Sequence, residues 1–244
     1  MENTRAKTTR NSLILLLTAT IWGMAFVSQS KGMDYMHPFT FNGVRSLIGA
    51  AGILVYILIS RKIAGDKAAK LDWKLNVRAG LLCGIFLTIA STLQQFGIKY
   101  TSVGKAGFIT TLYIIFVPMF GIFLKKKVAP VVWAAASMAA VGMYLLCMTE
   151  SLRLGAGDIM VFLCAIAFAI QIMTVDHYAA RIDGAVVSCI QFTVCGVVCC
   201  IGALIWGQPT FGQLQEGLGA LLYAGVLSCG VGYTLQIVGQ KGLN

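Results

Sequence analysis

Eight apolar runs of about 20 residues fill most of this chain, and nearly all of its charge sits in the short segments between them. The runs are residues 12–30, 39–60, 77–99, 104–124, 130–148, 158–178, 185–206 and 218–240. A helix rises about 1.5 Å per residue, so each run is long enough to cross roughly 30 Å of hydrocarbon. The hydrophobic fraction is 58%, the charged fraction 11% and the mean hydropathy +0.81. Soluble domains carry about 25% charged residues. This chain has too few charges to cover a surface in water, so it must be solvated by lipid. The expected fold is an all-α integral membrane bundle with eight transmembrane helices. Gly and Pro inside the runs do not argue against this, because membrane helices tolerate both.

Lysine and arginine set the orientation. With the N-terminus inside, the inner segments hold Arg5, Lys7, Arg10, Arg61, Lys62, Lys67, Lys70, Lys74, Arg78, Lys125, Lys126, Lys127, Arg181 and Lys241, and the outer segments only Lys31, Lys99, Lys105 and Arg153. A missed or invented span would invert this bias downstream, so it supports the count as well as the direction. The triple lysine reads as a stop signal before it reads as a lipid-headgroup contact. The basic start followed by an apolar run resembles a secretion signal. That run, however, continues past Trp22 to Val27 without a small-residue cleavage site, and reads as a retained first span.

The stretch Thr92-Leu93-Gln94-Gln95-Phe96-Gly97-Ile98-Lys99 returns 142 residues later as Thr234-Leu235-Gln236-Ile237-Val238-Gly239-Gln240-Lys241, with five of eight positions identical. The offset is too long for a solenoid unit and suggests a multi-helix unit written twice. The units are residues 1–149 and 150–244, with a seam at 150–157. The second is incomplete at three of five helices, because counterparts of residues 103–148 fall beyond Asn244. The chain therefore reads as C-terminally truncated. An odd number of helices per unit inserts the second copy upside down, as an inverted repeat requires.

Arg45 is the costliest residue, at about 2.5–3.5 kcal/mol for an Arg near a helix centre. It reads either as a clamp on neighbouring carbonyls or as an anchor for an anionic group of a substrate. Gln191 takes the corresponding slot in the second unit. Thr88, Ser91, Thr92 and Gln95 share one helix face, with Gln94 beside it. Gly225, Ser228, Gly232, Gln236 and Gly239 share another, and Ala167, Gln171, Thr174 and Tyr178 a third. Such stripes face protein or a water-filled cavity, and helix packing competes with cavity lining as their role. Gly80 and Gly84 serve packing. Trp22 lies mid-span, where packing outweighs substrate stacking. Pro118 lacks the amide proton of a helical hydrogen bond and should kink its helix. The residues expected to line a substrate cavity are Trp22, Arg45, Gln94, Gln95, Gln171, Gln191, Tyr233 and Gln236.

Several function classes find no support. HExxH, GxSxG, P-loop and strand-borne GxGxxG patterns are missing. The two histidines, His37 and His177, fall on opposite sides. Asp176-His177 reads as a solvated helix end rather than a proton-handling pair. The eight cysteines form no CxxC, and Cys195 and Cys199 at i, i+4 read as packing before a soft-metal site. No catalytic residue, cofactor, metal or disulfide is expected. Basic residues are scattered rather than interleaved with aromatics, which argues against nucleic acid.

Three stretches carry a resemblance: Trp22-Gly23 with Phe26; Arg45 near the outer end of the second span; and Tyr100-Thr101-Ser102-Val103-Gly104-Lys105-Ala106 leading to Val117-Pro118. With the two-copy layout, the chain resembles the EamA-like permeases of the drug/metabolite transporter superfamily over nearly its whole length. The resemblance implies a ten-helix (5+5) inverted-repeat bundle with its N-terminus in the cytoplasm of a bacterial plasma (inner) membrane. It implies a secondary transporter, exporter or permease, of small organic metabolites such as amino acids or drugs, working by alternating access. The partners expected are a small-molecule substrate and the lipid bilayer, with room for a homodimer. The alternatives are a membrane-embedded lipid or isoprenoid enzyme, which would need clustered carboxylates or histidines at one face, and a non-transporting bundle.

Overall fold

A computed structural model describes residues 2–65, 71–123, 130–147 and 155–240. The described residues are helical throughout, apart from short turns. The helices are α1 (Glu2–Gly32), α2 (Pro38–Ala64), α3 (Trp73–Tyr100), α4 (Val103–Thr111), α5 (Tyr113–Phe123), α6 (Pro130–Cys147), α7 (Ala156–Tyr178) and α8 (Gly184–Gly202), followed by α9 (Phe211–Glu216), α10 (Leu218–Leu222) and α11 (Tyr233–Gln240). The backbone stays helical between α10 and α11, but with the wider π pattern over Tyr223–Gly232, and a π turn, Ala203–Gly207, extends α8.

Seven segments are long and apolar enough to cross a membrane: Thr8–Gly32, Pro38–Ala64, Trp73–Tyr100, Val103–Phe123, Ala156–Arg181, Gly184–Gly207 and Leu218–Gln236. They match seven of the eight expected runs. The remaining run, 130–148, forms α6 over Pro130–Cys147, apolar along its described stretch Pro130–Gly142. Lys67, Lys70, Lys125 to Lys127, Arg153, Lys241 and the seam from Glu150 to Leu154 lie outside the described residues.

Large apolar side chains point outward along the bundle, among them Leu16, Met24, Leu58, Leu145, Leu204 and Phe211. In water a surface like this would be a large exposed patch; in lipid it is the solvated face. Trp73 marks one end of the bundle, and Tyr100 and Trp206 the other, all exposed, where aromatic rings sit at a membrane–water boundary. At the second end His37, Phe39, Phe96 and Trp206 form an aromatic cluster with ring centroids 5.2–5.7 Å apart. His37 also caps α2, its Nδ1 accepting from the Phe39 amide at 3.3 Å. Burial, and then the Lys99 charge, hold its imidazole below the ordinary 6.5, which favours the neutral form that can accept.

The contacts fix helix directions. Ser28 meets Ala220 while Gly239 lies against Leu15, so α1 and the α10–α11 segment run antiparallel. Gly43 faces Cys200 and Ala50 faces Cys189, so α2 and α8 are antiparallel. Gly80 faces Ile190 and Thr92 faces Cys199, so α3 and α8 are parallel. Gly97 faces Gly157, so the end of α3 meets the start of α7. Gly49 faces Cys229 and Gly225 faces Ile48, so α2 runs with the last segment. Followed round the bundle, α1, α2 and α3 each run opposite to α7, α8 and the α10–α11 segment respectively.

Lipid supplies no hydrophobic force between helices, so close packing must hold them. Small residues at each crossing permit it. A Cβ on Gly157 would lie 2.8 Å from the Gly97 carbonyl oxygen and 2.8 Å from the Tyr100 carbonyl carbon, both backbone atoms that no rotamer change can move. A Cβ on Gly107 meets nothing within 4 Å. Gly157→Ala is therefore expected to destabilise the protein by about 1–3 kcal/mol through the clash. Gly107→Ala should be neutral or stabilising by up to about 1 kcal/mol through helix propensity. Unfolding of the two variants in detergent checks this; equal effects would contradict the packing argument.

Candidate functional site

Where α2, α3, α7, α8 and the π segment meet, the apolar bundle encloses polar side chains. Asn42 is the hub. Its Nδ2 donates to Ser91 Oγ of α3 at 3.0 Å and to Cys199 Sγ of α8 at 3.2 Å, with Cys195 Sγ at 3.9 Å. Its Oδ1 accepts from Arg45 Nε at 3.0 Å. Around it Ser46 Oγ donates to Cys195 Sγ at 3.5 Å, Ser91 and Cys195 are 3.3 Å apart, and Thr92 and Cys199 are 3.6 Å apart. Three helices are thus tied together by one amide. The cysteine pair expected to pack does so, as part of a hydrogen-bonded thiol network. Among the described residues no three His, Cys, Asp or Glu side chains gather as metal ligands would.

Arg45 is 6% exposed. Its guanidinium lies 5.7 Å from the Phe41 ring centroid and within electrostatic reach of Cys164 on α7, Cys195 on α8, and Cys229 and Tyr233 on the last segment. No carboxylate among the described residues pairs with it. Arg45 and Asp158 are the only buried charged side chains among the described residues. Asp158 sits at the start of α7, held by Thr101 Oγ1, by the Gly155 amide at 2.9 Å and by Lys105 Nζ at 3.9 Å.

The other expected cavity residues fall into three groups. Gln171 and Gln191 are buried and joined, Nε2 of the first donating to Oε1 of the second at 2.9 Å across α7 and α8. Gln94 donates to Thr110 Oγ1 of α4 at 3.3 Å, and Gln95 to the Gln29 carbonyl of α1 at 3.1 Å. The side-chain oxygens of Gln29 and Gln95 and the Thr40 hydroxyl are buried without a hydrogen-bond partner among the described residues. Trp22 and Tyr233 form an aromatic wall with Phe192, with centroids 5.1 and 4.6 Å apart, and Trp22 Nε1 donates to the Ser228 carbonyl at 3.2 Å. Gln236 lies half-buried on α11, one turn beyond the wall.

Pro118 is buried inside α5, and the helix is interrupted at Leu112, upstream of it. A small, mostly apolar cavity lined by Phe108, Thr111, Leu112, Ile115 and Ala136 lies beside that break. Sequence reasoning missed Asn42, Ser46 and Gln29. The available signal for Asn42 was its i, i+3 relation to Arg45, which places both on one face.

A family model described as the EamA-like transporter family matches residues 10–148 and again 155–244. An "Uncharacterized transporter" of Archaeoglobus fulgidus is 30% identical over 171 residues, 68% of this chain and 48% of that protein. The match therefore spans about half the length of that relative. An "Uncharacterized transporter" of Clostridium kluyveri is 25% identical over 237 residues, 91% of this chain and 74% of that protein. A solved crystal structure superposes with a TM-score of 0.69 at 18% identity, covering 95% of this chain and 79% of the other, a likeness of fold alone.

The Gln171–Gln191 pair invites a double-mutant cycle. Either single change to Leu strands a buried amide, at a cost of about 1–3 kcal/mol. The double change removes both partners and should recover part of that loss, giving a coupling of about 0.5–2 kcal/mol. Denaturation of the four proteins in detergent measures it; additive losses would show that the bond contributes nothing.

Proposed function

The chain belongs to the EamA-like transporter family, and from that premise we propose that it carries small organic metabolites across a membrane by alternating access through the polar core. The observation that carries this reading is the placement of Arg45, Asn42, Gln94, Gln171 and Gln191 inside a lipid-facing bundle, at the junction of helices from both halves. Polar side chains are expensive there, and a translocation pathway is the usual reason for keeping them.

The halves are the two copies of one unit, residues 1–149 and 150–244, the second inverted relative to the first. Two observations support this. The family model matches twice, once in each half. Packing partners also exchange: α3 lies against α7 and α8, and the α10–α11 segment lies against α1 and α2. α6 completes the first unit as an eighth span, the N-terminus is cytoplasmic, and the whole transporter has the five-plus-five helix plan. Its cargo is amino acids, related metabolites or drugs.

Each end of the bundle carries a fastening suited to alternating access. At the His37 end, Asp158 joins the start of α7 to Thr101 and Lys105 beyond α3. At the other end, Asp183 caps α8, its amide donates to Asn76 Oδ1 at 2.8 Å, and its carboxylate lies 3.7 Å from Arg61 of α2. Opening one end requires breaking one set while the other holds.

Reconstitution tests the reading. Purified protein in liposomes preloaded with unlabelled amino acids should accumulate the labelled ones by counterflow, saturably. Asp158→Asn should slow that exchange by about tenfold, equivalent to about 1.4 kcal/mol, and Asp183→Asn, which loses only a half-exposed ion pair worth about 0–1 kcal/mol, by no more than about fivefold, while the protein stays folded. Folded protein that drives no counterflow of any amino acid or organic drug in a broad panel would defeat the proposal.

A further inference from the structure

Arg45 has two hydrogen-bonding edges, and only one is used. Nε is committed to Asn42 Oδ1. The terminal nitrogens, Nη1 and Nη2, meet no hydrogen-bond acceptor and no carboxylate among the described residues. They are also not sealed off, since the buried nitrogens and oxygens that lack a partner do not include them. A guanidinium that is 6% exposed, paired with no carboxylate among the described residues and fixed in direction by an amide that is itself fixed by Ser91 and Cys199, is preorganised to receive a partner. Its free edge is a planar fork of N–H donors, which matches a carboxylate bidentately.

Charge limits the partner further. Asp158, the only other buried charge among the described residues, lies at the far start of α7 with Lys105 beside it. No second buried cation is present among the described residues to balance a dianion such as a phosphate monoester, and an uncompensated charge in a low-dielectric core is costly. One cation therefore calls for one negative charge. Within electrostatic reach of the guanidinium stands Tyr233, the middle ring of the Trp22–Tyr233–Phe192 wall. A flat apolar body can pack there while an acid group sits on the fork.

We propose that the unused edge of Arg45 is the recognition element for a monocarboxylate, bound with its apolar or aromatic body against Trp22 and Tyr233. This rests on the transport reading and names the substrate class for that site. Asn42 acts through Arg45 as a positioning residue. The cost of the buried guanidinium is then offset whenever cargo is bound, so an empty and a loaded core differ by one net charge.

The test uses three probes of one shape and different charge: phenylacetate, phenylacetamide and phenethylamine. Binding is measured on the purified full chain by equilibrium dialysis, and transport by counterflow in liposomes. Phenylacetate should bind at least tenfold more tightly than either of the others. Arg45→Lys keeps the charge but loses the fork, and should weaken phenylacetate severalfold. Arg45→Gln should abolish the preference among the three probes. Asn42→Ala should weaken phenylacetate while leaving the two other probes unchanged, an outcome that a merely destabilised bundle would not give. If Arg45→Gln does not fold, Arg45→Lys and Asn42→Ala still decide the matter. No phenylacetate binding by the folded protein, or equal binding of the neutral probe, overturns the proposal. Phenylacetate bound through Arg45 but not carried would leave the recognition site standing and sink the transport reading. Transport of amide or amine that ignores Arg45 would do the reverse.

Discussion

Close approach of helix backbones is the constraint from which the rest of this structure follows. Lipid gives helices no hydrophobic reason to associate, so contact must be earned by shape. At the α2–α8 crossing Gly43 faces Cys200 and Gly196 faces Leu47; at α3–α8 Gly84 faces Val194 and Gln191; at α3–α7 Gly97 faces Gly157. These crossings bring side chains from different helices within hydrogen-bond range. Asn42 can reach Ser91 and Cys199 only because α2, α3 and α8 are that near. The small residues are therefore the precondition of the polar core, and the two features cannot be varied independently.

The polar core in turn has an internal economy. Asn42 satisfies Arg45, two helices are held by Asn42, and the thiols of Cys195 and Cys199 serve as soft acceptors where a larger polar group would not fit. Thiols pack like small apolar groups yet accept weakly. That explains why a cysteine-rich α8 suits this position; the seven cysteines whose side chains are described are free thiols.

What the sequence made legible was set by periodicity and composition. Runs of lipid-compatible length located seven spans, and the basic loops separated them. A shared helix face identified Gln171 as inward-facing and the slot matching Arg45 picked out Gln191, and the structure joins them. The burial of Arg45 was legible from its cost alone. Asn42 was missed: its i, i+3 relation to Arg45 put both on one face, but its partners Ser91 and Cys199 lie across the bundle and only the fold brings them near. The π segment Tyr223–Gly232 was also hidden. Its glycines at 225, 230 and 232 lie close against α2, against the segment's own backbone and against Trp22, and a wider helix pitch is a tertiary response that no local pattern encodes. The same holds for the break at Leu112. Pro118 marked the helix as weak, but tertiary packing decided where the weakness was spent.

The helices that meet at the core run in opposed directions. α2 and α8 cross antiparallel and α3 runs parallel to α8, so the core sits at the meeting point of helices that enter from opposite faces. The fastenings at the two ends differ in kind. Asp158 is buried and held by several groups, whereas Asp183 shares a half-exposed ion pair with Arg61 at 39% exposure for each side chain. An exposed pair is worth little, about 0–1 kcal/mol, and is screened by salt. A buried carboxylate that loses its donors is left unpaired in low dielectric and costs several times more. The two ends of the bundle thus differ in the burial of one carboxylate.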